Sequence, residues 1–246
     1  MKIIFTGLLF FSCFFTKANT ISVLTYNVNY HFINKKVVSI LDSINADVIC
    51  LQETNKAWED IIRAGLTSKY PFIEFKHRGT AGGYATLSKY PIIKNESIRN
   101  KAGWFPCWLI TIKKEQDSIQ ILNTHLKPGL TRKGWIGWKA HFKKEEIHIK
   151  EIKQFLPKAN PNLPVIILGD FNENDKGKTL AWLKGEGFED ALPKFDKRSK
   201  TWRFIILRAR FDHIVSNNKL QCTNAGVYKL GKSDHFPLLG VFEIKE

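Results

Sequence analysis

The chain has 246 residues, enough for one large domain with a buried core, and its 43% hydrophobic and 25% charged content excludes a disordered or fibrous protein. No linker, low-complexity tract or internal repeat divides it, so we expect one folded unit. A formal net charge of +15 favours polyanionic partners such as nucleic acid, anionic lipid head groups or a phosphorylated small molecule, without specifying any chemistry.

Residues 1–20 stand apart. Lys2 precedes an apolar run from Ile3 to Phe15, and a small residue, Ala18, follows. This pattern predicts a secretory signal peptide, too short to span a bilayer, and hence a secreted or periplasmic protein. A lipoprotein anchor at Cys13 is the weaker alternative, because Phe14 and Phe15 carry the apolar run past it. Beyond it lie Cys50, Cys107 and Cys222, which allow at most one disulfide and form no framework. Cys50 lies in an apolar strand and is expected to be a buried thiol.

Residues 21–28 read as a first buried strand with Asn27 at its C-terminal end. Val37, Val38, Ile40, Leu41 and Ile44 then give the apolar face of a helix. Residues 47–54 form another aliphatic strand that ends on Glu53, and Trp58 to Leu66 reads as a helix. Strands are expected at Phe72–Phe75 and Tyr84–Leu87. A hairpin of 108–112 and 118–125 ends on His125, and a helix covers 141–156.

The most informative stretch follows. Val165-Ile166-Ile167-Leu168 runs without polar alternation into Gly169-Asp170-Phe171-Asn172, as a strand buried on both faces does. A period of two predicts that Asp170 and Asn172 share one side of the backbone. A helix over 177–185 and strands at 211–215, 227–228 and 238–244 complete the chain. Alternating strands and helices early, with strands dominating late, predict an α/β (α+β) protein. The architecture expected is a four-layer sandwich, two mixed β-sheets packed face to face with helices on both outer sides.

Polar residues recur at strand ends: Asn27, Glu53, His125, Asp170, Asn172, Asp212 and Asp234-His235. Phosphoester hydrolysis needs a divalent cation on the phosphoryl oxygens, an activated water and a stabilised leaving oxygen. Glu53 and Asp234 offer the hard oxygen ligands that Mg²⁺ prefers, whereas the thiols are too few and too apolar in context for zinc. Asp212 or Asp234 is placed to hold one nitrogen of His235 and make it a competent base.

Taken together, Tyr26-Asn27, Leu51-Gln52-Glu53-Thr54, Asn123-Thr124-His125-Leu126, Gly169-Asp170-Phe171-Asn172, Phe211-Asp212-His213-Ile214 and Ser233-Asp234-His235-Phe236-Pro237 resemble, in order, the endonuclease/exonuclease/phosphatase superfamily. That superfamily includes pancreatic-type deoxyribonucleases, apurinic endonucleases, inositol polyphosphate 5-phosphatases and neutral sphingomyelinases. The resemblance covers residues 21–246. It implies Glu53 as the principal metal ligand, with Asn27 beside it and Asp234 contributing to the metal region. It implies that Asp170 orients or deprotonates the attacking water, that Asn172 binds the phosphate, and that His235, paired with Asp212, contacts the phosphate and moves a proton. His125 matches the histidine of the deoxyribonuclease and sphingomyelinase branches, where apurinic endonucleases carry tyrosine. The glutamate that orients this histidine in deoxyribonucleases has no counterpart in Ala81-Gly82-Gly83-Tyr84. The implied cofactor is Mg²⁺, with Mn²⁺ as a substitute.

Some histidines fall outside the constellation. Strand alternation turns His213 away from Asp212, so it is read as structural, and His31, His77, His141 and His148 are read as solvated or locally satisfied. Two segments bear on the substrate. Lys127, Arg132, Lys133, Lys139, Lys143, Lys144, Lys150 and Lys153 interleave with Trp135, Trp138 and Phe142, which suits a nucleic-acid backbone or a membrane interface. Trp202-Arg203 and Arg208-Ala209-Arg210 are expected to bind substrate phosphate, with Arg203 and Arg210 as bidentate clamps. The first expectation is an exported phosphodiesterase acting on nucleic acid, monomeric and without an obligate protein partner. A phospholipid or phosphoinositide phosphoesterase at an anionic membrane surface is the second, and a catalytically silent binding module the third.

Overall fold

The computed structural model describes residues 19–129 and 138–245, with side chains throughout except at 138–143. The first half runs β1 (Thr20–Asn27), α1 (Lys36–Ile44), β2 (Val48–Gln52), α2 (Lys56–Leu66), β3 (Phe72–Lys76), β4 (Tyr84–Ser88), β5 (Ile92–Ile98), β6 (Cys107–Lys114) and β7 (Asp117–His125). The second half runs α3 (Trp138–Phe155), β8 (Val165–Asp170), α4 (Lys178–Gly185), β9 (Glu189–Asp190), α5 (Leu192–Phe195), β10 (Trp202–Phe204), β11 (Leu207–Ala209), β12 (Asp212–Ser216), β13 (Leu220–Val227) and β14 (Leu238–Ile244). One six-stranded sheet has the order β13-β14-β1-β2-β4-β3, the other β5-β6-β7-β8-β12-β9, and β10 and β11 form a separate ribbon. Both large sheets are mixed: β1–β2 and β7–β8 are parallel, the other pairs antiparallel.

The side-chain period of two builds the layers. On β1, Ile21 and Val23 join the central core while Leu24 and Tyr26 face the other way. On β2, Val48 and Cys50 alternate likewise with Ile49 and Leu51, and on β8, Ile166 and Leu168 alternate with Val165 and Ile167. The inner sets of the two sheets, including Ile110, Ile121 and Ile214, meet in one cluster. The outer face of the first sheet packs on Val37, Leu41, Trp58 and Ile62 of α1 and α2, and that of the second on Ile152, Phe155, Leu180 and Leu183 of α3 and α4. The molecule is therefore the expected sandwich of two mixed sheets between helical layers. Each fully buried aliphatic side chain is worth about 1.5–3 kcal/mol, which is why β2 and β8 carry no polar side chain until their C-terminal ends.

Near those ends the core turns polar. Gln52 donates to Asn123 Oδ1 (2.8 Å) and Thr25 Oγ1 (3.0 Å), and Asn123 donates to the Leu51 carbonyl (3.2 Å). These buried amides pin the two sheets together. Gly169 makes the same junction sterically feasible: its φ is +133°, and a Cβ there would lie 1.9 Å from the Thr124 carbonyl oxygen. Only glycine lets β8 approach β7 so closely.

Two sequence expectations need correction, while the cysteines fit the expectation of at most one disulfide and a buried Cys50. Strand alternation does not carry past Asp170, because Asn172 has a φ of +51°; the chain turns there, so the shared face predicted for Asp170 and Asn172 is not how they meet. The expected helix over 141–156 starts earlier, at Trp138. Cys50, Cys107 and Cys222 are all free. The leader segment and Arg132, Lys133 and Trp135 lie outside the described residues, as do the side chains of Trp138, Lys139, Phe142 and Lys143.

Candidate active site

His125, Asp170 and Asp212 are cross-strand partners on three adjacent strands: His125 pairs with Asp170 on β7–β8, and Asp212 with Asp170 on β12–β8. All three follow the inward parity of their strands, so register alone lines them up at the open end of the sandwich. Asn27 ends β1 in the facing sheet, and its amide nitrogen bridges Glu53 Oε1 (3.0 Å) and Asp170 Oδ2 (3.1 Å). Glu53 follows β2 with a φ of +58°, a conformation that β-strand alternation does not supply and that persists only where surroundings enforce it. His235 lies just before β14 and joins the row from the opposite sheet.

His235 Nδ1 lies 2.8 Å from Asp212 Oδ2, and its Nε2 lies 3.5 Å from Asp170 Oδ2. Burial opposes charging this ring, but the two carboxylates outweigh it and hold the imidazolium up at about 10. His125 is treated differently. Its Nδ1 lies 3.1 Å from the Ala81 carbonyl, which requires Nδ1–H, and Phe105 stacks on its ring at 4.3 Å. Burial is the largest influence and lowers its pKa, so Nε2 stays an unprotonated acceptor facing Asp170 Oδ2 (3.5 Å) and Glu53 Oε1 (3.9 Å). Ala81 thus supplies by its backbone the orientation that a glutamate gives in deoxyribonucleases. Asp170 is itself raised, chiefly by burial, with the neighbouring histidines opposing the shift.

The donor set fits a divalent cation. Among the described residues, the largely buried Glu53 receives the Asn27 amide and a long contact from Tyr30 N–H (3.4 Å), and burial raises its pKa. A buried carboxylate so sparsely paired, beside the acceptors Asp170 Oδ2 and His125 Nε2, is what a hard cation stabilises. Asp170, Asp212 and His235 also bring donor atoms within 4.8 Å of one another, although the Asp212–His235 pair already occupies one nitrogen of that group.

The remaining predicted residues divide. Asp234 accepts from Asn29 Nδ2 (2.9 Å) and Trp202 Nε1 (3.0 Å), so its two oxygens tie the first sheet to the β10–β11 ribbon at the rim of the site. Trp202 also pairs with His235 through a lone β-bridge. Asn172 lends its backbone N–H to Asp170 Oδ1 (2.8 Å) and its amide to the Leu126 carbonyl (3.0 Å). Arg203 leaves the cluster and lies over the Phe236 ring at 4.9 Å. Arg210 is corrected outright: it is fully buried, its guanidinium donating to the carbonyls of Ser199 (3.1 Å) and Asp196 (3.0 Å), with Asp175 3.5 Å away. No substrate phosphate reaches it; it closes the loop before β10.

His213 is structural as expected, buried between Asp190 (2.9 Å) and the Glu173 carbonyl. His148 is also buried and held by Glu173 (2.9 Å) and the Lys127 carbonyl (2.7 Å), satisfied rather than solvated. Three contributors were absent from the predicted site residues, with Lys144 expected only as part of the basic segment after His125. Asn29 links Asn27 to Asp234, Phe105 backs His125 from a loop, and Lys144 places Nζ 3.0 Å from the Asn172 carbonyl. Only Asn29 was findable, as a second amide two residues beyond Asn27.

Comparison with known proteins bears on the fold and the family. No curated protein matches the chain in sequence. Truncated TDP2 from Caenorhabditis elegans superposes with a TM-score of 0.69 at 20% identity, covering 92% of this chain and 98% of that one. An endonuclease/exonuclease/phosphatase from Beutenbergia cavernae gives 0.74 at 13% identity, covering 92% and 72%. TDP2 from D. rerio, complexed with a single-strand DNA product, gives 0.74 at 17% identity, covering 92% and 99%. At these identities the likeness is one of fold. The sequence profile of the endonuclease/exonuclease/phosphatase family, however, matches residues 24–235, from the first strand through the last histidine of the site, and the chain belongs to that family.

Proposed function

We propose that the protein is an exported, divalent-metal-dependent phosphodiesterase that cleaves nucleic acid by in-line attack of water. The observation that carries this reading is the row His125–Asp170–Asp212 with the His235 ring set between two of its carboxylates. Glu53 would hold Mg²⁺, or Mn²⁺ in its place, with Asn27 steadying the carboxylate and Asp234 anchoring the rim. A cation there would neutralise the phosphoryl oxygens.

The side chains supply the rest. His235, carrying a proton on each ring nitrogen, points Nε2–H into the site beside Asp170 Oδ2 and donates to an incoming phosphate oxygen. Asp170 orients the water and takes its proton, and His125 Nε2 accepts from the same side. The basic surface and the DNA product bound by the D. rerio protein support nucleic acid as substrate, and the protein acts as a monomer. A phospholipid phosphoesterase is the second reading, favoured by an apolar hairpin tip beside the site.

The test is a substrate panel: mature protein with Mg²⁺ or Mn²⁺ on plasmid DNA, RNA, sphingomyelin, phosphoinositides and an aryl phosphodiester. Metal-dependent plasmid nicking, lost in His235→Ala, is expected. Lipid turnover without nicking replaces the first reading by the second.

A further inference from the structure

The β10–β11 ribbon belongs to neither large sheet, and among the described residues its tip exposes the longest run of large apolar side chains. Phe204, Ile205, Ile206 and Leu207 follow one another with exposures of 55%, 79%, 86% and 58%. Phe204 stacks on Trp202, while Ile205, Ile206 and Leu207 reach into solvent at a turn where isolated hairpins favour glycine and asparagine. Ile205 has a φ of +51°, a conformation that is a true outlier for a β-branched residue. An apolar residue kept at a strained, solvent-facing turn points to a partner outside the fold.

The flanks of the tip are cationic. Arg203 and Arg208 are cross-strand partners directly behind it. With Arg198, Lys200 and Lys229 they line a cleft of about 580 Å³ in which Asp196 is the only acid, and that carboxylate is already engaged by the N–H groups of Arg198 and Ser199. Arg208 Nη1 donates to the carbonyls of Ile205 (2.8 Å) and Leu207 (2.7 Å), so the turn carries its own donors into a medium that has none.

We propose that this hairpin docks the protein on an anionic phospholipid bilayer, the Phe204–Leu207 tip entering the head-group boundary and the cationic cleft meeting lipid phosphates. Ile205 lies three residue steps from Trp202, roughly 10 Å, which matches the depth of about 5–10 Å to which interfacial elements bury. Trp202 is bonded to Asp234 and bridged to His235, so docking would set the mouth of the active site at the head-group plane. Ile205, Ile206 and Leu207 offer no ring to stack on a base and no donor for a base edge, and the ring of Phe204 already stacks on Trp202 with centroids 6.3 Å apart, which disfavours nucleic acid as the occupant of the tip. A second copy would bring Arg203 and Arg208 against their own like charges. Among the described residues no helix is long and apolar enough to cross a membrane, so the hairpin rests on the surface. The proposal goes beyond the phosphodiesterase reading and does not depend on which phosphoester is cleaved.

The test is co-sedimentation of the full chain with phosphatidylcholine vesicles, with and without a quarter of phosphatidylglycerol, compared with Ile205→Gly/Ile206→Ser. These substitutions suit a turn with positive φ, and a Tm no lower than the parent's verifies folding. We expect the parent to sediment with the anionic vesicles, and the double variant to bind them at least tenfold more weakly. A parent that stays in the supernatant overturns the proposal, as does a variant that binds as tightly as the parent. Loss of affinity for a single-stranded oligonucleotide with vesicle binding intact would reassign the tip to nucleic acid. A parent dimer that the variant abolishes would reassign it to self-association.

Discussion

His235 is held by Asp212 on one nitrogen and faces Asp170 with the other, so its removal strips the site of both a positive charge and a donor. For His235→Ala we expect kcat to fall about 10²–10⁴-fold with Tm nearly unchanged, measured on an aryl phosphodiester. Glu53→Gln keeps the shape and the Asn27 contact but removes a negative charge, so the Mg²⁺ concentration giving half-maximal activity should rise about tenfold or more. Unchanged metal dependence would exclude Glu53 as a ligand. Arg210 makes the opposite prediction. Arg210→Met should lower stability by about 2–4 kcal/mol in urea unfolding, because two loop carbonyls lose their donor, while KM stays that of the parent.

At the scale of elements, the β7–β8 junction decides whether the catalytic row exists. Gly169→Ala places a Cβ against the Thr124 carbonyl and forbids the native φ. We expect a loss of more than about 2 kcal/mol and a drop in kcat, since Asp170 is the next residue; differential scanning calorimetry and initial rates check both. The central strands were legible because burial on both faces leaves only aliphatic residues, as in Val165–Leu168. Of the edge strands β3 was legible, but β5, β9 and most of β13 were not. Most of β5 is exposed or half-exposed, β13 shows little alternation, and the β10–β11 ribbon packs on neither sheet. Without one-sided burial, period two leaves no trace in the sequence.

For the whole molecule, charge bears on stability and on the proposed substrate. On α2, Glu59 is held down at about 2, first by its hydrogen bond from Arg63 (2.7 Å), then by His77 and Lys56. A depressed carboxylate stabilises the fold above its ordinary value of 4.5 and loses that contribution as pH falls through about 2. The gap in unfolding free energy between the parent and Glu59→Gln, about 1 kcal/mol or less for such a surface group, should be constant near neutrality. It should shrink below pH 4.5 and vanish near pH 2. With a formal charge of +15, KM for plasmid DNA should rise about tenfold or more between 50 and 200 mM salt; a salt-independent KM would argue against a polyanionic substrate.

The sequence by itself determined the layered sandwich and the identities of Asn27, Glu53, His125, Asp170, Asp212 and His235, since buried strands and polar strand ends are written in composition and period. Tertiary structure alone decided that Arg210 turns inward, that a carbonyl at Ala81 orients His125, and that four apolar residues after Arg203 stand in solvent. Those outcomes rest on which backbone groups happen to lie across the gap, and local patterning contains no information about atoms contributed by distant parts of the chain.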